Sequence, residues 1–130
     1  MAPVALVVDD SMLIRHTVCR LLEEHGFRVE TATNGLEAVA LLESHLPDLI
    51  VTDLQMPKMT GGELITELKR RPTTQTIPVV VISGRESGFD GREKRADYCI
   101  SKDIDLSSQL EKALRAVNRA AASRGKSDGQ

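Results

Sequence analysis

Short apolar runs alternate along the chain with stretches of helical periodicity. Val4 to Val8 is an apolar run that reads as a strand and stops at Asp9-Asp10. Ile14, Val18, Leu21 and Leu22 recur at spacings of three and four, which predicts an amphipathic helix closed by Gly26, with Ser11 or Asp10 as its cap. Phe27 to Ala32 reads as a second strand, ended by the break at Asn34-Gly35. Leu36, Val39, Leu42 and Leu46 mark a second helix that Pro47 ends. A third strand, Leu49 to Thr52, runs into Asp53 and then into a loop holding Pro57, Gly61 and Gly62. Leu64, Ile65 and Leu68 mark a third helix, which stops before Arg71-Pro72 because a residue preceding proline avoids helical geometry.

Ile77 to Ile82 is the fourth strand and Tyr98 to Ser101 the fifth. Residues 85–96 between them are polar and include Gly88 and Gly91. Each glycine costs a helix roughly 1 kcal/mol relative to alanine, so a fourth helix there is expected to be short or irregular. Leu106, Leu110, Ala113, Leu114 and Val117 predict a final helix. The tail 122–130 is expected to be disordered, leaving one domain over 1–121. Strands alternating with helices imply an α/β fold, a parallel sheet covered on both faces with right-handed crossovers. The chain is too short for a closed barrel, which leaves the doubly wound arrangement.

Composition narrows the function classes. Hydrophobic residues make up 41% of the 130 and aromatics only 2%, so the core is aliphatic and bases have almost nothing to stack on. A net charge of −2 gives no electrostatic footprint for nucleic acid. No apolar run reaches transmembrane length, and the N-terminus lacks the basic flank and apolar stretch of a secretory signal, so a cytoplasmic location away from membranes is expected. Cys19 and Cys99 fall in apolar patterns on different elements and read as buried thiols of a reducing compartment. His16, His25 and His45 share no ligand spacing and read as surface residues.

In a parallel sheet every strand ends on one edge, where open α/β folds place their ligands. Strand one ends in Asp9-Asp10, strand three in Asp53, strand four in Ser83-Gly84 and strand five in Lys102. Taken alone, each has a bland reading: a cap for Asp53, a satisfied strand-end hydroxyl for Ser83, a solvated charge for Lys102. Together they bring three carboxylates, a hydroxyl and an ammonium to one pocket. Clustered carboxylates repel unless a cation is present, and an all-oxygen donor set suits Mg²⁺ rather than Zn²⁺. The chain has no Gly-rich phosphate loop of the G-x-x-x-x-G-K-[ST] kind and no readable Ser–His or Cys–His arrangement. What remains is phosphoryl chemistry at a carboxylate, with Asp as nucleophile and a cation neutralising the transferring group.

Val-Val-Asp9-Asp10-Ser, Asp53-Leu-Gln-Met-Pro57 with Gly61, Val-Ile-Ser83-Gly84 and Ile-Ser-Lys102 together resemble the receiver domains of two-component response regulators, from about Val4 to about Ala121. The resemblance implies a flavodoxin-like five-stranded sheet of order 2-1-3-4-5. It implies Asp53 as phospho-acceptor, Asp10 and Asp53 as Mg²⁺ ligands with the backbone carbonyl of Gln55, and Asp9 binding the metal through water. Ser83 resembles the hydroxyl that moves to meet the phosphoryl group, and Lys102 its ion-pair partner. A sensor histidine kinase or phosphotransfer protein would supply the phosphoryl group. An output protein or domain, not identified by the sequence, would read the switched surface, and a homodimer is open to the family. Such a domain catalyses only its own phosphorylation and dephosphorylation and acts on neither nucleic acid nor membrane.

The chain departs from the family in three places. Asp103 follows Lys102 where the family usually has a cis proline, so a trans bond and a reshaped loop are expected. Cys99 stands where the family's switching aromatic normally lies, with Tyr98 one residue earlier and facing the other side of a regular strand, so either the strand carries a bulge or the coupling from Ser83 to the surface lacks its aromatic. The interval from Ser83 to Lys102 is short for the family, and Arg85 and Gln55 flank the pocket. Two rivals follow: a pseudo-receiver that only binds partners, and a phosphatase with an aspartyl-phosphate intermediate. Phosphorylation at Asp53 separates off the first. The second needs an acid two residues past the nucleophile, where this chain has Gln55.

Overall fold

The computed structural model describes residues 2–84, 95–102 and 105–129, with side chains up to Asn118. The elements are β1 (Val4–Val8), α1 (Met12–Glu24), β2 (Arg28–Ala32), α2 (Gly35–Ser44), β3 (Leu49–Asp53), α3 (Gly61–Arg70), β4 (Val79–Ser83), β5 (Tyr98–Ser101) and α4 (Leu106–Gly129). All strand pairs are parallel, in the order β2-β1-β3-β4-β5. This is the five-stranded, doubly wound sheet expected from the sequence.

Alternate residues of each strand feed two cores. Leu6, Val8, Ile50, Val79 and Val81 face Ala38 and Leu42 of α2 and Leu64, Ile65 and Leu68 of α3. Ala5, Val7, Val51, Val80 and Ile82 face Val18 and Leu22 of α1 and Leu110 and Ala113 of α4. Period-two alternation within unbroken apolar strands therefore covers both faces, and each fully buried Val or Ile contributes about 1.5–3 kcal/mol. The edge strand β2, in contrast, buries only Ala32 fully and is otherwise exposed or half-buried.

The caps follow from sequence. Ser11 caps α1 and Asn34 caps α2, each side chain accepting from a backbone N–H of the first turn. Gly26, at φ +92, turns the chain out of α1. β4 begins at Val79 rather than Ile77, since Pro78 has no N–H for the ladder and Ile77 N donates instead to Thr74 O at 3.1 Å.

The backbone of α4 continues as helix to Gly129, through most of the stretch expected to form a disordered tail. The periodic apolar positions of the sequence end at Val117, and the alanines at 120–122 carry high intrinsic helix propensity. The expected short helix between β4 and β5 falls mainly on residues 85–94, with Arg85, Gly88 and Gly91, and lies outside the described residues, as does Asp103. No helix among the described residues is long and apolar enough to cross a membrane.

Candidate functional site

β1, β3, β4 and β5 deliver their last residues to one edge of the sheet. Asp53 is opposite Ile82 in the ladder, and Ser83 opposite Ser101, so Ser83 and Lys102 stand just beyond the level of Asp53. Asp9 and Asp53 are almost completely buried, at 1% and 3% exposure, while Asp10 is exposed. Carboxylate oxygens of all three lie within 4.8 Å of one another. Lys102 Nζ lies 3.0 Å from Asp53 Oδ2 and 3.5 Å from Asp9 Oδ2. Ser83 is buried at the end of β4, and its carbonyl accepts from Lys102 N at 2.9 Å. The structure thus brings together Asp9, Asp10, Asp53 and Lys102 and sets Ser83 on the neighbouring strand end.

Asp9 is the most constrained member. Its N–H donates to Ala32 O at 3.1 Å, its Oδ1 accepts from Ser11 N at 2.8 Å, and its main-chain oxygen accepts from Arg15 Nη1 at 2.8 Å. Arg15 escaped the sequence reading, because a side chain reaching back from α1 to a carbonyl leaves no periodic signal. Asp9 Oδ2 is buried without a hydrogen-bond partner, facing the cluster. With only the Lys102 ammonium 3.5 Å away to offset it, burying this oxygen is costly, and a hard cation would relieve that cost.

Electrostatics point the same way. Burial pushes both Asp9 and Asp53 above the usual aspartate range. For Asp9 the backbone N–H of Ser11 pulls down and the neighbouring charge of Asp53 pushes up; for Asp53 the hydrogen bond from Lys102 pulls down. Burial acts to lower Lys102, but the hydrogen bond and charge of Asp53, with those of Asp9, outweigh it and hold the ammonium above its usual value. One ammonium among three carboxylates leaves the pocket short of positive charge. The donor set, all carboxylate oxygen, fits Mg²⁺.

The loop after Asp53 is built to bring the backbone close. Gly61 N donates to Leu54 O at 3.0 Å, and a Cβ on Gly61 would overlap the Asp53 carbonyl. Lys58 turns this loop in the left-handed region at φ 68. Gln55 N donates to Asp53 Oδ1 at 3.4 Å, and the Gln55 residue is exposed beside the cluster.

The sequence matches the response regulator receiver domain family over residues 5–115. The chain belongs to that family. Members are signalling domains of two-component systems that bind Mg²⁺ at an acidic pocket and work with histidine kinases and output domains. Among relatives, a histidine kinase of Formosa agariphila is 38% identical over 104 residues, 78% of this chain and 8% of that protein. The response regulator MprA of a Mycobacterium species is 32% identical over 123 residues, 92% of this chain and 53% of that protein. The chain thus spans about half of MprA and a small part of the kinase. The crystal structure of the signal receiver domain of a Syntrophus aciditrophicus signal transduction histidine kinase superposes with a TM-score of 0.76 at 31% identity, covering 90% of this chain and 91% of that one.

Within the receiver family this chain keeps β5 regular. Val80 pairs with Tyr98 and Val81 with Cys99, without a bulge. Tyr98 packs on the α1–α4 side and Cys99 on the α2–α3 side, as alternate residues of a regular strand do. Both cysteines are free thiols and half-buried rather than fully buried. His16 and His25 are exposed, and the exposed His45 has its Nε2 2.6 Å from Glu30 Oε1.

Proposed function

We propose that the domain, over residues 1–121, is a phospho-accepting receiver: Asp53 takes a phosphoryl group from the phosphohistidine of a sensor histidine kinase or phosphotransfer protein. The observation that carries this reading is the Asp53 carboxylate, buried at the end of β3 among Asp9 and Asp10 and held by Lys102 at 3.0 Å. A carboxylate oxygen of Asp53 attacks phosphorus, the P–N bond breaks, and its electron pair leaves with the imidazole. Asp10, Asp53 and the Gln55 carbonyl would hold Mg²⁺, with Asp9 acting through water. Bound there, the ion would supply positive charge against the phosphoryl oxygens.

Lys102, already drawn to Asp53, is the cation of this chain that would follow the negative charge onto the phosphoryl oxygens. The Ser83 hydroxyl would donate to one of them. Both shifts favour an alternative surface that an output partner reads. Met12 and Leu13, 73% and 74% exposed in the first turn of α1 just after Asp10, give apolar surface for a phosphoryl donor to dock. With Gln55 two residues past the nucleophile, no side chain there acts as acid or base for a turnover hydrolase, so the domain catalyses only its own phosphorylation and dephosphorylation, in the cytoplasm.

Intact-mass spectrometry after incubation with acetyl phosphate tests the reading. A gain of one phosphoryl group that requires Mg²⁺ and disappears in Asp53→Ala is expected. No adduct, together with no chemical-shift response to beryllofluoride, would make the interaction-module reading the better one.

A further inference from the structure

β5 is an edge strand, paired with β4 on one side only. Lys102 N donates to Ser83 O, so the main-chain groups of Ser101, one residue earlier, point away from β4. Gln109, early in α4, meets both of them. Ser101 N donates to Gln109 Oε1 at 3.0 Å, and Gln109 Nε2 donates to Ser101 O at 2.8 Å. Only the amide oxygen can accept from the N–H and only the nitrogen can donate to the carbonyl, so the side chain is fixed in one orientation. It pairs with Ser101 as a neighbouring strand would.

Gln109 is itself held in place by the start of its helix. Asp105 Oδ1 accepts from Ser108 N at 3.2 Å, Ser108 Oγ donates to Asp105 Oδ2 at 2.9 Å, and Gln109 N donates to Asp105 O at 3.2 Å. A continuous set of contacts therefore runs from the Asp105 cap through Gln109 and Ser101 to Lys102, and from its Nζ to Asp53. No proline follows Lys102 to stiffen the chain, and a lysine ammonium on four rotatable bonds is only as well placed as its backbone.

We propose that Gln109 is a positioning residue for Lys102: its two-point grip on the Ser101 main chain fixes the strand end from which Lys102 reaches Asp53. The inference rests on the reading of Lys102 as the cation that serves the phosphoryl group. If the grip is released, the end of β5 frays on its open side, and the ammonium samples positions away from the transferring group.

The test compares Gln109→Met, Lys102→Ala and the double variant of the full chain. Phosphorylation by acetyl phosphate with Mg²⁺ is followed by intact mass, and exchange of the Ser101 amide by NMR. Gln109→Met is expected to expose the Ser101 amide to exchange and to slow phosphorylation roughly tenfold, as small misplacements of a reacting group do. It should slow nothing further on the Lys102→Ala background, an outcome that general destabilisation would not produce. A wild-type rate in Gln109→Met beside a slow Lys102→Ala overturns the proposal and leaves Gln109 an edge cap only. Equal slowing on both backgrounds overturns it as well. A wild-type rate in Lys102→Ala removes the underlying role of Lys102 and the proposal with it, and the single variant identifies that cause. If Gln109→Met is unfolded at the assay temperature, Gln109→Glu, which keeps the acceptor for Ser101 N and loses the donor to Ser101 O, is judged by the same phosphorylation rates on the two backgrounds.

Discussion

Gly61 lies against the main chain of Asp53 so closely that any Cβ would collide with the Asp53 carbonyl oxygen and with the Leu54 backbone. The contact, with the hydrogen bond from Gly61 N to Leu54 O, closes the loop between β3 and α3 directly after Asp53. Its neighbours are backbone atoms, which cannot move aside as a flexible side chain can. Gly61→Ala should therefore cost about 1–3 kcal/mol in urea unfolding, the range for overpacking a tight site. It should also lower the rate of Asp53 phosphorylation in the fraction that remains folded. Unchanged stability would mean that the loop can open without loss.

Asp53→Asn should stabilise the metal-free protein at pH 7. Burial holds the Asp53 carboxyl above its usual range, so the folded state binds that proton more readily than the unfolded chain does. Its contribution to stability then grows as pH falls from above the folded value towards the unfolded one, and at neutral pH the ionised group opposes folding. Removing it should raise the unfolding free energy at pH 7, and the gain should shrink as the solution is acidified through the folded value. Mg²⁺ should reverse the ranking, since a ligand of the folded state alone stabilises only a protein that binds it. Urea titrations at pH 7 and at acid pH, with chelator and with Mg²⁺, supply the comparison. A wild type more stable than the variant in chelator would remove the burial argument.

Residues at the ends of apolar runs could be read from the chain because a parallel sheet turns sequence position into place. Asp9, Asp53, Ser83 and Lys102 reached one edge for that reason, and β1 and β5 have the bounds that their patterns predicted. The supporting contacts could not be read in the same way. Arg15 to the Asp9 carbonyl, Gln109 to Ser101 and Gly61 beneath Asp53 depend on helix phase and loop closure, which periodicity does not encode. The backbone of α4 runs past the last periodic apolar position, Val117, into a stretch whose alanines at 120–122 favour helix by intrinsic propensity, which hydrophobic periodicity does not encode. Cys99 lies on the face opposite Tyr98 because β5 is regular; the sequence alone leaves a bulge open, and the register removes it.

Thr60 joins the site to α3 through a capping box. Thr60 Oγ1 accepts from Glu63 N at 3.2 Å, and Glu63 Oε1 accepts from Thr60 N at 2.9 Å. Thr60→Ala removes one of these contacts and should cost about 1 kcal/mol in chemical denaturation, while Thr60→Ser should cost much less. Because Gly61 is the first residue of the capped helix, the alanine variant should also quicken amide exchange at Gly61, whose N–H is held by Leu54 O. Equal stability of the two variants would show that the cap contributes nothing measurable.

Arg15 offers the sharpest test of how Asp9 is held. The Asp9 main chain is tied to β2 through Ala32 and to α1 through Arg15, and Ser11 holds its Oδ1, which leaves Oδ2 facing Lys102 and the other carboxylates. Arg15→Met keeps most of the aliphatic stem but leaves the Asp9 carbonyl without its donor, so a loss of roughly 1–2 kcal/mol in unfolding free energy is expected. Arg15→Lys retains a single donor and a charge and should lose less. If Asp9 is held ready for a cation, Arg15→Met should also weaken Mg²⁺ binding severalfold in a calorimetric titration under conditions where the variant is fully folded. A variant with lower stability and unchanged Mg²⁺ affinity would limit Arg15 to anchoring α1 against the end of β1.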